Sequence, residues 1–157
     1  MSDLSRQNGA RWEAYIRAEC RSLAENELAY VSKNWEAPKL KNSHIKWEPS
    51  KPDFSGFLPD GRHVVFEAKA TLSKTSFPLP QISGHQWGVL NSAHRAGALS
   101  FVYVLDGNGD KWVFPWALVV ACKAERESIP FSLDTYKKLR GQTWLGAWHR
   151  LEWEGLI

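Results

Sequence analysis

The stretch PDFSGFLPDGRHVVFEAKA, Pro52 to Ala70, decides how this chain is read. Phe54–Leu58 and Arg62–Ala70 have strand character, and Pro59-Asp60-Gly61 between them is a strong turn signal. Centring a hairpin near residue 60 makes paired positions sum to about 120, which sets Asp53 opposite Glu67. Side chains alternate along a strand, so Lys69 shares the face of Glu67. Val64, Phe66 and Ala68 take the other face, which is apolar and is expected to be the core side. Two carboxylates and an ammonium therefore converge on one small area. A divalent cation relieves the repulsion between the acids. Oxygen ligands suit Mg²⁺, with Mn²⁺ as a substitute, and the Ala68 carbonyl is a further candidate oxygen. A metal so held polarises a phosphoryl oxygen and activates water, while Lys69 orients that water or neutralises developing charge. The alternative for these three residues alone is a surface hairpin with solvated charges.

Working outward, positions Trp12, Ile16, Cys20 and Leu23 follow a helical period over about Asn8–Glu27, with Asn8 as the expected N-cap. LAYVS at 28–32 reads as a strand, and HIKWEP as a second short one. After the hairpin, SFPLP breaks the sheet pattern. A helix is expected from Ser83 or Gly84 to about His94, ending near Gly97. LSFVYVLD at 99–106 is a buried strand, GNGD a turn, KWVFPW at 111–116 the returning strand and ALVVACKAER a helix. LDTYKKLRG looks helical, and AWHRLEWEGL fits a strand or a helix. The order of elements predicts an α/β (α+β) domain around one central sheet.

A chain of 157 residues suits one domain, with residues 1–157 sharing one core. The formal net charge is +3. The segment 33–51 alone carries Lys33, Lys39, Lys41, Lys46 and Lys51 against Glu36 and Glu48, which is also +3. These lysines, with Lys74 and Thr75 just after the acidic strand, are candidate phosphate-backbone contacts. Arg95 is a further one, and Lys137, Lys138 and Arg140 read as a solvated helix face. MSDLSRQNGARWE has no apolar run and is not expected to be a signal peptide. No apolar stretch is long enough to span a bilayer. Two distant cysteines without a CxxC predict a reduced, cytoplasmic setting and no structural zinc. Most of the nine tryptophans are expected in the core, with base stacking as the rarer use. No GxGxxG, Walker A or GxSxG motif points to another enzyme class.

Pro52-Asp53, thirteen intervening residues and Glu67-Ala68-Lys69 resemble the PD-(D/E)xK nuclease signature. The ordered series PDFSG, FEAK, KTSFPLPQI and His85-Gln86 resembles, more specifically, the RecU-type Holliday junction resolvases. The resemblance is close from Pro52 to Val104. It extends loosely to NGARWE, where Glu13 stands in the place of a helix-borne active-site acid. It implies a restriction-endonuclease-like core, a central mixed sheet flanked by helices, Mg²⁺ dependence and a homodimer acting on branched DNA. By position, it assigns Asp53 and Glu67 to the metal, Lys69 to the attacking water, Glu13 to an auxiliary acid and Gln86 to the catalytic vicinity. His85 reads as a helix-start residue packing on the sheet. The chain departs from the better-known members in compressing their stalk to about residues 33–51. It also places Lys51 where a small hydroxyl residue is frequent. Two symmetric cuts call for two sites related by a two-fold axis, which gives the dimer a physical logic. Rival functions are a repair or restriction-type nuclease on duplex or flap DNA, and a non-catalytic branched-DNA binding protein.

Overall fold

A mixed five-stranded sheet carries the molecule, in the order β1 (Tyr30–Lys33), β4 (Phe54–Phe57), β5 (His63–Ala70), β7 (Leu99–Leu105), β8 (Lys111–Pro115). The computed structural model describes residues 3–34, 39–41, 44–46, 51–132 and 142–157. Around the sheet lie α1 (Asp3–Glu25), α2 (Gly84–Arg95), α3 (Trp116–Glu125) and α4 (Trp144–Trp153). Two short antiparallel pairs complete it: β2 (Lys39–Lys41) with β3 (His44–Lys46), and β6 (Ser76–Pro78) with β9 (Ser128–Pro130). All sheet neighbours are antiparallel except β5 and β7. That parallel pair needs a crossover, and the segment holding α2 supplies it.

The β4–β5 hairpin has the register read from the sequence, with Phe54 opposite Phe66 and Phe57 opposite His63. Its turn is closed by Leu58 N–H donating to the Arg62 carbonyl at 2.9 Å, with Gly61 at φ +86°. The left-handed conformation favours glycine there. Gly56 has a different reason to be glycine. A Cβ at this position would lie 2.0 Å from the Tyr30 carbonyl oxygen, so β1 can approach β4 only across a bare backbone.

Both faces of the sheet are covered, which corrects the expectation of a single core side. Val64, Phe66, Phe101 and Tyr103 pack with Trp12, Ile16, Trp144 and Trp148 of α1 and α4. Val65, Val102, Val104 and Phe114 pack with Leu90 and Val119 of α2 and α3. Strands buried on both sides read as continuous apolar runs, as VVF and LSFVYVL do. On the first face the rings of Phe54, Phe66 and Phe101 stack in series, with centroids 5.0 and 4.6 Å apart. Among the described residues Trp12, Trp112, Trp116, Trp144 and Trp148 are buried, whereas Trp153 is 91% exposed.

Helix α1 starts at Asp3, so Asn8 is an interior residue and no N-cap. The turn before Asn8 buries nothing and leaves no mark in the hydrophobic period, while Asp3 puts a favourable negative charge in the first turn. Helix α2 starts where expected. Ser83 caps it, its hydroxyl accepting from Gln86 N–H while the Gln86 side chain accepts from Ser83 N–H. Pro115 ends β8, and Trp116 opens α3 rather than closing the strand. SFPLP becomes the short strand β6 and a single 3₁₀ turn. AWHRLEWEGL resolves as a helix. The helix expected at LDTYKKLRG falls wholly outside the described residues.

Candidate active site

The register continues one step beyond β4 and sets Asp53 across from Glu67. Asp53 N–H donates to Glu67 Oε1 at 3.3 Å, and Ala68 N–H donates to Asp53 Oδ2 at 2.9 Å. Glu67 is 1% exposed, which removes the solvated-hairpin reading. Its Oε2 accepts from Gln86 Nε2 at 2.6 Å and lies 3.9 Å from Lys69 Nζ. Lys69 Nζ donates to Gln86 Oε1 at 2.9 Å. The carboxamide of Gln86 thus touches both the acid and the amine. The same oxygen closes the capping box of α2, so the helix start and the acid–amine pair share one fixed group.

Electrostatics set Glu67 apart. Burial pushes its carboxyl well above the ordinary carboxylate range, and the neighbouring charge of Asp53 pushes further, against the pull of Lys69. A buried acid raised by a second acid is a site short of positive charge. Its donors are all oxygens, a set that suits a hard divalent cation. Among the described residues, no group of three or more His, Cys, Asp or Glu side chains is placed to hold a metal. Asp53 and Glu67 are accordingly a two-carboxylate site, to which a backbone oxygen such as that of Ala68 can add.

Glu13 lies on α1 and forms an ion pair with Lys33 of β1. It lines a cleft of about 830 Å³ between the first half of α1 and the end of β5, with Arg6, Lys69, Ser73 and Gln81. Lys33, expected to meet DNA, is only 19% exposed in its side chain and is engaged with Glu13. Lys51, Lys74 and Thr75 are exposed. Lys39 and Lys46 stand opposite each other in the β2–β3 pair. His85 is exposed at the start of α2 rather than packed on the sheet. Arg95 is exposed in the last turn of that helix. Lys137, Lys138 and Arg140 fall outside the described residues, as do Trp35 and Trp47. Asn34 is a residue that pattern reading passes over. It hydrogen-bonds around Asp53 yet sits at the end of a strand, with no motif spacing to mark it.

A mixed sheet that presents Pro52-Asp53 and Glu67-Ala68-Lys69 from one hairpin carries a site of the PD-(D/E)xK pattern. The model of the Recombination protein U (RecU) family matches residues 7–133, and the chain belongs to that family. It is similar to the Holliday junction resolvase RecU of Leuconostoc mesenteroides, 32% identical over 80 residues, covering 50% of this chain and 38% of that protein. The RecU resolvases of Staphylococcus carnosus and a Geobacillus strain are 38% and 34% identical over 65 and 82 residues. Those matches cover 41% and 46% of this chain, and 30% and 40% of the relatives. The chain therefore spans well under half the length of the curated relatives it matches. The Holliday junction resolvase Hjc of Archaeoglobus fulgidus is similar with a TM-score of 0.49 and 15% identity, over 78% of this chain and 86% of that one. Among the described residues no helix is long and apolar enough to cross a membrane.

Proposed function

We propose that this chain is a Mg²⁺-dependent endonuclease that resolves four-way DNA junctions as a homodimer, with Mn²⁺ able to substitute. The observation that carries the reading is the buried Asp53–Glu67 pair, joined to Lys69 through Gln86, in a chain of the RecU family. Asp53 and Glu67 are the residues that would hold the cation, with the Ala68 carbonyl as a further oxygen. The ion would supply charge neutralisation of the scissile phosphate and a water of lowered pKa.

The chain's own groups do the rest. Lys69 presents an ammonium beside the phosphate, where it orients the attacking water or neutralises charge building on the non-bridging oxygens. Gln86 holds that ammonium and the Glu67 carboxylate in fixed relation. Glu13, released from Lys33, is the auxiliary acid at the cleft. In the reaction the water oxygen bonds to phosphorus as one phosphorus–oxygen ester bond breaks, and the leaving oxygen takes up a proton. The exposed Lys51, Lys74 and Thr75, together with Lys39, Lys41 and Lys46, meet the phosphate backbone. Such contacts carry no base information, so branch shape selects the substrate. Two copies related by a two-fold axis make the paired cuts.

The test uses an immobile four-way junction and a linear duplex of the same arm sequence, each with Mg²⁺. Paired symmetric nicks in the junction and an intact duplex are expected. EDTA should stop the cutting, and raised salt should weaken binding steeply. Equal cutting of both substrates would make the chain a general duplex nuclease. Binding of the junction without cutting, in Mg²⁺ and in Mn²⁺, would make it a branched-DNA binding protein.

A further inference from the structure

Asp53 is held from two sides, and only one side belongs to the hairpin. On the β5 side its N–H donates to Glu67 and its Oδ2 accepts from Ala68 N–H. On the β1 side stands Asn34, the residue after Lys33. Asn34 N–H donates to the Asp53 carbonyl at 2.8 Å. Asn34 Nδ2 donates to the Pro52 carbonyl at 2.8 Å and to Ser55 Oγ at 2.9 Å. Ser55 Oγ donates in return to Asn34 Oδ1 at 3.2 Å. One side chain thus grips the residue before Asp53 and the residue two after it, while its own backbone grips Asp53 itself.

We infer that Asn34 is a positioning residue for the metal ligand Asp53. It acts through the Pro52–Ser55 backbone and touches neither the cation nor the DNA. The inference rests on the metal-site reading above. The physical reason is that Asp53 lies just before β4, one step outside its ladder with β5. A strand start frays unless it is tied, and a carboxylate that wanders cannot hold a cation alongside a buried partner. Partners hydrogen-bonded directly to a ligand change metal affinity by about 10- to 100-fold when removed, and Asn34, whose side chain holds the residues flanking Asp53, belongs at the lower end of that range. Asparagine suits the place because its amide both donates twice and accepts. Aspartate would set a carboxylate against the Pro52 carbonyl, and alanine would leave that carbonyl without its side-chain donor.

The experiment titrates Mn²⁺ into the full chain without DNA, reading free Mn²⁺ by electron paramagnetic resonance. It then measures junction cutting against Mn²⁺ concentration. Asn34→Ala should bind Mn²⁺ about 10-fold more weakly. Its half-saturating Mn²⁺ for cutting should rise in step, while the rate at saturating Mn²⁺ stays close to that of the parent. A folded Asn34→Ala protein with unchanged Mn²⁺ affinity overturns the inference, as does a loss of rate that saturating Mn²⁺ does not restore. Should Asn34→Ala fail to fold, Ser55→Ala removes only the hydroxyl and should weaken Mn²⁺ binding by a smaller factor, with Ser55→Thr restoring it. Unchanged binding in Ser55→Ala would then overturn it. A parent protein that binds no Mn²⁺, or an Asp53→Asn protein that binds it equally well, brings down the metal-site reading itself.

Discussion

Glu67 and Glu19 are both buried, on opposite faces of the same sheet, and burial raises the carboxyl of each. Their surroundings differ. Glu19 comes from α1 into the layer of Tyr103 and Trp144. Its Oε1 accepts from Trp144 N–H at 3.1 Å and from the Tyr103 hydroxyl at 3.4 Å, and its Oε2 meets no hydrogen-bond donor among the described residues. Burial pushes it from 4.5 up to about 7, with the Lys111 charge pulling the other way. Glu67 instead has every oxygen engaged and a second carboxylate against it. What Glu19 lacks is solvation, and a proton supplies the remedy. What Glu67 lacks is a positive charge, and a proton is a poor substitute for a divalent cation. Two acids of similar burial thus announce different roles through their neighbours.

The sharpest way to break this contrast is Asp53→Asn. With the neighbouring charge gone, the Glu67 carboxyl should fall back toward the ordinary range but stay above it, since burial is the larger cause. A carboxyl-carbon NMR titration reads that shift. Cutting of the junction should drop by roughly 1,000-fold or more, at the upper end of what loss of one electrostatic stabiliser costs. Persistent cutting would show that Asp53 holds no metal.

Glu19→Gln tests the other half. Glutamine keeps an acceptor for Trp144 N–H and removes the buried charge. The native state holds the Glu19 proton up to about pH 7, whereas the unfolded chain releases it near 4.5. Between those values the native state binds more protons, so parent stability falls as pH rises through the window and levels off above it. The shift corresponds to about 3 kcal/mol at most. Glu19→Gln should therefore match the parent near pH 4.5 and exceed it at pH 8, raising Tm by roughly 5–10 °C. A Tm difference that does not change with pH would sink the assignment.

A third measurement returns to Glu67. Gln86→Ala removes a 2.6 Å bond to the acid and a 2.9 Å bond to Lys69. Hydrogen bonds to charged groups are worth about 1.5–3 kcal/mol, so the cutting rate should fall by about 10- to 100-fold. Half of the α2 capping box goes with it, and a modest loss of Tm is expected alongside. An unchanged rate would mean that Lys69 is positioned without Gln86.

Much of this was readable in the sequence wherever periodicity and turn chemistry agree. Pro59-Asp60-Gly61 between two apolar runs sets the hairpin register, and the register sets Asp53 against Glu67. The continuous apolar character of VVF was also visible, yet it does not by itself show that helices cover both faces. AWHRLEWEGL left helix and strand open because its apolar residues fit either period, and the packing of Trp144 and Trp148 decides. Glu19 had a signal that pattern reading passed over: it sits between Ile16 and Leu23 inside the apolar stripe of α1. Asn34 had none, because its partners Pro52 and Ser55 meet it only through the pairing of β1 with β4.

The smallest effect expected is that of Tyr103→Phe, and it is the one that weighs burial against hydrogen bonding at Glu19. The hydroxyl donates over 3.4 Å, a long bond, and its pull on Glu19 ranks below burial, the Lys111 charge and the Trp144 N–H. Phenylalanine keeps the ring edge against Trp12, whose centroid is 4.6 Å away, and the contact with Phe66. Stability at pH 8 should fall by about 1 kcal/mol or less. The pH at which stability levels off should move upward, because a weakened charged form keeps its proton longer. A loss of several kcal/mol would instead mean that the hydroxyl, and not burial, governs Glu19. The contrast between an acid that wants a proton and an acid that wants a cation would then rest on one hydrogen bond.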